Sequence, residues 1–201
     1  MVNINNRYFN KVIIMIYRPI VIDEEIVFSK KKFIVSKTDL KGKILFINKN
    51  FCEVSGYTEE ELIGANHNAV RHPDMPRSIF YLVWSSLLAG KEVSGVVKNL
   101  AKDGRYYWVI ADFSPKEDST GTVTSLTAFR RAAPDQVIEE IEELYATMIN
   151  IEKKHGMEGA LSYLEAFLEE QEMTYDEFLG ELVKPKGIIA TLLSAFKKMF
   201  G

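Results

Sequence analysis

The chain has 201 residues, of which 47% are apolar and 26% charged, and its formal net charge is −3. This globular composition excludes a wholly disordered or fibrous protein, and so small a net charge provides no general attraction to nucleic acid. The single cysteine, Cys52, excludes an intramolecular disulfide framework and a cysteine-rich zinc or iron–sulfur site. Near the N-terminus, the apolar run at residues 12–17 is far shorter than the ~20 residues that span a bilayer, so we expect a cytoplasmic protein.

The first elements in chain order are two short strands and two short helices. Apolar runs at residues 33–35 and 44–47 flank a Lys-Gly-Lys turn, which predicts a hairpin. A helical turn follows from Asn48, and Thr58 with Glu61 forms the sequence pattern of a capping box at the start of the next helix. Residues 66–74 then show no periodicity, so the sequence predicts an irregular polar segment there.

The next elements are one longer helix and three longer strands. Apolar residues recur at helical spacing from Ile79 to Leu88, and strands are predicted at residues 93–100, 105–113 and 122–130. The middle strand is apolar on both faces, so both faces must be covered. We therefore predict an α+β domain in which short helices cup one face of a five-stranded antiparallel sheet.

The C-terminal third differs from the rest in charge and in its content of helix-forming residues. Residues 1–131 hold 19 basic and 14 acidic groups, whereas residues 132–201 hold 6 basic and 14 acidic groups. Helices are predicted at residues 137–149, 160–170 and 175–183, and an amphipathic one at 188–200 that packs on the tail or docks on a partner rather than on a membrane. The predicted units are thus an N-terminal extension (1–32), the α+β domain (33–131) and an acidic helical tail (132–201) for output or partner binding.

Two sequence segments carry a resemblance to a known family. The run Phe51-Cys52-Glu53-Val54-Ser55-Gly56-Tyr57-Thr58-Glu59-Glu60-Glu61-Leu62-Ile63-Gly64 is similar to a pattern that is common in PAS sensor domains. The next segment, His67-Asn68-Ala69-Val70-Arg71-His72-Pro73-Asp74-Met75-Pro76, resembles the aerotaxis-receptor class of PAS domains, which bind FAD non-covalently and report its redox state. The resemblance covers roughly residues 33–131 and implies the PAS fold.

The resemblance also implies a function and a set of cofactor contacts. It implies a free-standing redox or energy sensor that relays the state of its flavin to a membrane-bound chemotaxis transducer or another signalling protein. Formation of a homodimer through the helices is a second possible interaction. Amides suit the flavin ring edge, cations suit its diphosphate and an aromatic face can stack on the ring. The expected FAD-binding residues are Asn48, Arg71, His72, Asp74, Trp84 and Asn99.

Other readings of the same residues remain open at this stage. The two asparagines could instead cap a turn or satisfy a sheet edge, and Arg71 with Asp74 could be a structural ion pair. His67 or His72 could ligate a haem iron in a gas sensor, FMN could replace FAD, and a ligand-free adaptor is the third class. A zinc site lacks the usual ligand spacing. No motif of an enzyme active site is present, and the position at which light-sensing PAS domains carry an adduct-forming cysteine holds His67.

Overall fold

The computed structural model describes residues 18–183, and its centre is a five-stranded antiparallel sheet. The strands are β1 (Ile34–Thr38), β2 (Ile44–Ile47), β3 (Val93–Leu100), β4 (Tyr106–Glu117) and β5 (Val123–Ala132). Their order across the sheet is β2-β1-β5-β4-β3, so the chain crosses from one sheet edge to the other between β2 and β3. The predicted α+β architecture is confirmed.

The crossing segment places three helices and a 3-10 turn on one face of the sheet, called the inner face. The helices are α1 (Lys49–Ser55), α2 (Glu59–Leu62) and α3 (Arg77–Leu88), and the 3-10 turn spans His67–Val70. Thr58 and Glu61 form the predicted capping box at α2. Gly56 ends α1 with a φ of 74°, a left-handed conformation that glycine adopts without steric cost.

The segment between the 3-10 turn and α3 runs along the free edge of β3. Arg71 forms an antiparallel bridge with Asn99, and the backbone N–H of His72 donates to the Lys98 carbonyl over 3.3 Å. These contacts satisfy part of an edge that would otherwise present unpaired backbone groups. The irregular segment predicted from the sequence therefore acts as a cover for the β3 edge.

The acidic tail covers the β3 and β4 half of the opposite, outer face of the sheet. Helix α4 (Asp135–Glu170) lies across β3 and β4, where the buried Tyr145 donates its hydroxyl to the Val96 carbonyl over 2.8 Å. The helices predicted at 137–149 and 160–170 are joined in α4, but Gly156, with φ 73° and ψ −175°, breaks the helical conformation between them. Helix α5 (Tyr175–Val183) then packs back toward the sheet.

The described part of the predicted N-terminal extension pairs with the start of β4. Glu25 forms a parallel bridge with Tyr106, and the N–H of Ile26 donates to the Tyr106 carbonyl over 2.7 Å. The amphipathic helix predicted at 188–200 lies outside the described residues, as does the apolar run at 12–17. Within residues 18–183, no helix is long and apolar enough to cross a membrane.

Candidate functional site

A cavity of about 320 Å³ lies between the inner face of the sheet and α3. The sheet contributes side chains that alternate along β1, β3 and β5, and the segment from Asn66 to Arg71 closes one side. The cavity therefore lies between the sheet and the elements that cross over its inner face. Its volume is at the lower end of the ~300–1,000 Å³ range of small-molecule pockets.

The helix side of the cavity is apolar and aromatic. Phe80, Val83, Trp84 and Leu87 face it from α3, because their spacing of three and four residues places them on one face of the helix. Phe113 on β4 faces it from the sheet. Trp84, expected to stack on the flavin ring, is one of the residues that line the cavity.

The sheet side of the cavity carries a buried arginine. Arg130 on β5 is 3% exposed, and its guanidinium donates to Ser36 Oγ over 2.9 Å and to His67 Nε2 over 2.9 Å. It also lies over the rings of Phe51 and Phe113, at 5.9 and 5.8 Å from the ring centroids. Among the described residues, no carboxylate lies within ion-pair distance of Arg130. Burial lowers the pKa of Arg130 to about 10, so it is still a cation at neutral pH.

His67 is held neutral beside this arginine. A guanidinium can only donate, so His67 Nε2 is the acceptor and the ring proton is on Nδ1. Burial and the positive charge of Arg130 lower the pKa of His67 to about 3. The Nε2 lone pair is therefore engaged by Arg130 rather than free for a metal ion.

Arg71 and Asn99, both expected from the resemblance, line the cavity together. Their backbones are bridged across the β3 edge, and the Arg71 guanidinium carbon lies 5.5 Å from the centroid of the Phe80 ring. The buried Nε of Arg71 has no hydrogen-bond partner within residues 18–183. Burial and the nearby charges of Arg18 and Arg77 lower the pKa of Arg71. An anionic group in the cavity would accept a hydrogen bond from this Nε and would raise the pKa of Arg71 again.

Asn48, expected as a flavin contact, is not among the residues that line this cavity. Its side-chain oxygen accepts from the N–H groups of Phe51 and Val35 at 3.0 and 3.1 Å, and its amide nitrogen donates to the Phe33 carbonyl over 2.8 Å. It is the N-cap of α1, where asparagine satisfies backbone N–H groups that the helix leaves free. The plainer reading, a capping residue, describes its position.

His72 and Asp74, also expected as cofactor contacts, are likewise absent from the cavity lining that the described residues form. The backbone alternates along the β3 edge, so Arg71 points inward and His72 lies on the outer side, with its ring 5.7 Å from that of Tyr106. Asp74 pairs with the buried Lys98 at 3.2 Å. Burial, and then the charge of Lys98, lower the pKa of His72 to about 4, although Asp74 opposes this effect. Arg71 and Asp74 thus lie on opposite sides of the sheet edge and form no ion pair.

Two contacts connect the walls of the cavity to α4. Lys98, the neighbour of Asn99 on β3, reaches Glu142 of α4 at 3.3 Å on the outer face and lies 4.2 Å from the ring centroid of Tyr106. Glu152 of α4 accepts from both the N–H and the hydroxyl of Ser78, each over 2.7 Å, at the first turn of α3. Both contacts join elements that line the cavity to the tail.

Sequence reasoning missed Arg130 and Ser36 and considered His67 only as a ligand of haem iron or zinc. A signal was present for Arg130, because it continues the inward register of Leu126 and Ala128 on β5, where a charge is unusual. Cys52 does not line the cavity. Among the described residues, no group of three His, Cys, Asp or Glu side chains is placed to hold a metal ion.

Comparison with known proteins agrees with the architecture. The family model described as the PAS fold matches residues 44–130. The aerotaxis receptor of Escherichia coli (strain K12) is 42% identical over 115 residues, which are 57% of this chain and 22% of the receptor. The nitrogen fixation regulatory protein of Klebsiella pneumoniae is 30% identical over 97 residues, 48% of this chain and 20% of that protein.

A solved structure, the light state of the blue-light photoreceptor Aureochrome1 LOV, superposes with a TM-score of 0.49 at 17% identity, over 61% of this chain and 94% of that chain. The chain spans about a fifth of the length of the two curated relatives named above. The family match and the sheet order β2-β1-β5-β4-β3 lead to the same conclusion: residues 44–130 form a PAS fold, and the chain is similar to the aerotaxis receptor over 115 residues.

Proposed function

We propose that this protein is a redox sensor that binds FAD non-covalently in the inner cavity and relays its state to a chemotaxis-type transducer. One observation carries the proposal: the buried Arg130 and the half-buried Arg71 face a cavity of about 320 Å³, and neither has an ion-pair partner among residues 18–183. Burying an unpaired cation costs several kcal/mol, so a bound group with negative character at this position would be stabilising.

The residues of the cavity fit a flavin. The aromatic rings of Phe80 and Trp84 suit a flat ring system, and Asn99 offers both a donor and an acceptor to its polar edge. The cavity has room for a ring system, so the remainder of the dinucleotide would extend out of it. When bound, FAD supplies a group that takes up electrons and protons reversibly.

The arginines then have separate roles. Arg130, held by Ser36 and by the neutral His67, presents a fixed positive charge from the sheet side. Arg71, whose Nε has no hydrogen-bond partner among the described residues, would donate from the β3 edge. Hydrogen bonds to a charged group contribute about 1.5–3 kcal/mol each, so these two residues respond most strongly when the charge in the cavity changes.

Two connections would pass that response to the tail. A shift of Asn99 moves the adjacent Lys98 on the other face of β3 and thus its ion pair with Glu142 of α4. A shift of α3 changes the contact of Ser78 with Glu152, also on α4. We therefore assign sensing to residues 33–131 and output to the helices after residue 132, with a cytoplasmic location and a membrane-bound transducer or another signalling protein as the partner.

The alternatives differ in the spectrum they predict. A haem sensor needs a free histidine nitrogen, but Nε2 of His67 accepts from Arg130 and His72 lies on the outer side of the sheet. A ligand-free adaptor would leave the two arginines without a counter-charge. The absorbance spectrum of the freshly purified full chain separates the three: twin flavin bands, a Soret band or no visible absorbance.

The test with a matched control compares two neighbouring arginines. We expect Arg130→Gln to lower the flavin content of the purified protein, whereas Arg131→Gln leaves it unchanged, because Arg131 lies on the outer face and pairs with Asp112. Mass spectrometry of the released cofactor distinguishes FAD from FMN. A colourless wild-type protein that stays colourless after incubation with FAD would refute the proposal, and so would equal flavin content in both variants.

A further inference from the structure

A second depression, which we call the outer groove, lies on the outer face of the sheet beneath α5. Its volume is about 650 Å³, and it is lined by Ser94, Ile110, Asp112, Arg131, Leu179 and Val183. Glu92 and Asp176 add two more carboxylates. The outer groove thus combines an apolar floor with three carboxylates and one arginine, and that arginine already pairs with Asp112 at 2.9 Å.

The outer groove continues into an uncovered apolar surface. On β5, Phe129 lies opposite Asp112 of β4 and opposite Val35 of β1, and its side chain is 47% exposed. Phe46 on β2 is 48% exposed and faces the same side, opposite Lys37. Helices α4 and α5 cover β3 and β4. The other half of the outer face, formed by β5, β1 and β2, is not covered by any of the described residues. Phe129 lies next to the groove, and Phe46 lies two strands further along the same face, so the candidate docking surface extends from the groove across β5 and β1 to β2.

We infer that the chain's own segment 188–200 occupies the outer groove and covers Phe129. The first argument is position, because Val183, the last described residue, lines the outer groove itself. Only residues 184–187 separate it from the segment, and four extended residues span up to ~14 Å. The segment therefore starts beside the surface that it is proposed to cover.

Charge supplies the second argument. Residues 184–201 contain four lysines and no acidic residue, whereas residues 132–183 contain 14 acidic and 2 basic residues. A basic segment next to an acidic helical tail and an acidic groove is electrostatically attracted to them, and the attraction weakens with added salt.

The apolar pattern of the segment matches the surface in size. Ile188, Leu192, Phe196 and Met199 recur at helical spacing, which predicts one apolar face. Thirteen residues in a helix extend ~20 Å. Neighbouring strands lie ~4.8 Å apart, so such a helix is long enough to cross from β4 over β5 and β1 to β2. A partner protein that binds this half of the sheet would first have to displace the segment.

Disulfide trapping in the full chain tests this inference, and it does not depend on FAD binding. In a Cys52→Ser background, Phe129→Cys is combined with Phe196→Cys, or with Ser194→Cys as the control on the opposite helix face. Under mild oxidation we expect an intramolecular disulfide that forms several-fold faster with Phe196→Cys. Equal rates, or cross-links only between two chains as in a dimer, would overturn the inference.

A labelling experiment covers the case in which the double variant fails to fold. The rate at which a maleimide modifies Phe129→Cys in the Cys52→Ser background should rise several-fold when Leu192→Asp is added, and with high salt. Ser194→Asp should leave the rate unchanged. A rate that neither Leu192→Asp nor salt alters would show that Phe129 is not covered by this segment.

Discussion

The contact of Glu152 with Ser78 allows a quantitative prediction. Pro76, the N-cap of α3, provides no side-chain hydrogen bond to the helix, so Glu152 supplies the acceptor from α4 instead. Glu152→Ala leaves the N–H and the hydroxyl of the fully buried Ser78 without this acceptor. Loss of a helix cap costs about 0.5–2 kcal/mol and an unsatisfied buried donor about 1–3 kcal/mol, so we expect the free energy of unfolding to fall by about 2–3 kcal/mol.

Thermal and urea unfolding of the full chain measure this effect. For a protein of this size, each kcal/mol corresponds to about 2–4 °C, so the Tm should fall by about 4–12 °C. Glu143→Ala, on an exposed position of the same helix, is the control, and Glu152→Gln should lose less because it keeps an oxygen acceptor. If Glu152→Ala and Glu143→Ala differ by less than about 0.5 kcal/mol, which is the scatter of surface substitutions, the contact contributes nothing and the argument fails.

Three further predictions follow from the cavity and the tail. The first concerns pH: because the pKa of His67 is about 3 in the folded state, the unfolded chain binds more protons below pH 6.5, and the free energy of unfolding should fall as the pH drops from 6.5 toward 3. His67→Gln should make the free energy of unfolding, measured by urea titration, less dependent on pH. An unchanged pH dependence would contradict a neutral His67 in the folded protein. The second compares the two asparagines: Asn48→Ala should lower the free energy of unfolding by about 1 kcal/mol without changing the flavin content, because Asn48 caps α1. Asn99→Ala should lower the flavin content, because Asn99 lines the cavity. The reverse pattern would show that Asn48, and not Asn99, contacts the flavin. The third concerns the break in α4: Gly156→Ala should destabilise the protein by about 1–3 kcal/mol or straighten α4, because φ 73° with ψ −175° strains a residue that carries a Cβ. An unchanged Tm and an unchanged hydrogen-exchange pattern would argue against this conformation of Gly156.

The expected site residues that do not line the cavity show what a linear motif does not reveal. Arg71 and His72 are adjacent in sequence, yet one lines the cavity and the other lies on the outer side, because they run along a strand edge on which side chains alternate. Asn48 and Asn99 have the same side chain at the ends of two strands, but only Asn99 has its side chain at the cavity. Asn48 is used by the backbone of α1, because it lies where a helix begins.

The order and type of the elements were determined by the sequence itself, since hydrophobic alternation, helical spacing, the Thr58–Glu61 capping box and the turn glycines are all local signals. Even the cover over the outer face was predictable, because a strand that is apolar on both faces requires one. The residues of the cavity were decided only by tertiary structure. Arg130, Ser36 and His67 come from three separate parts of the chain, and only the strand register brings them together beside Arg71 and Asn99. Local sequence specifies which face of an element is buried, but the packing of distant elements decides what each buried group meets.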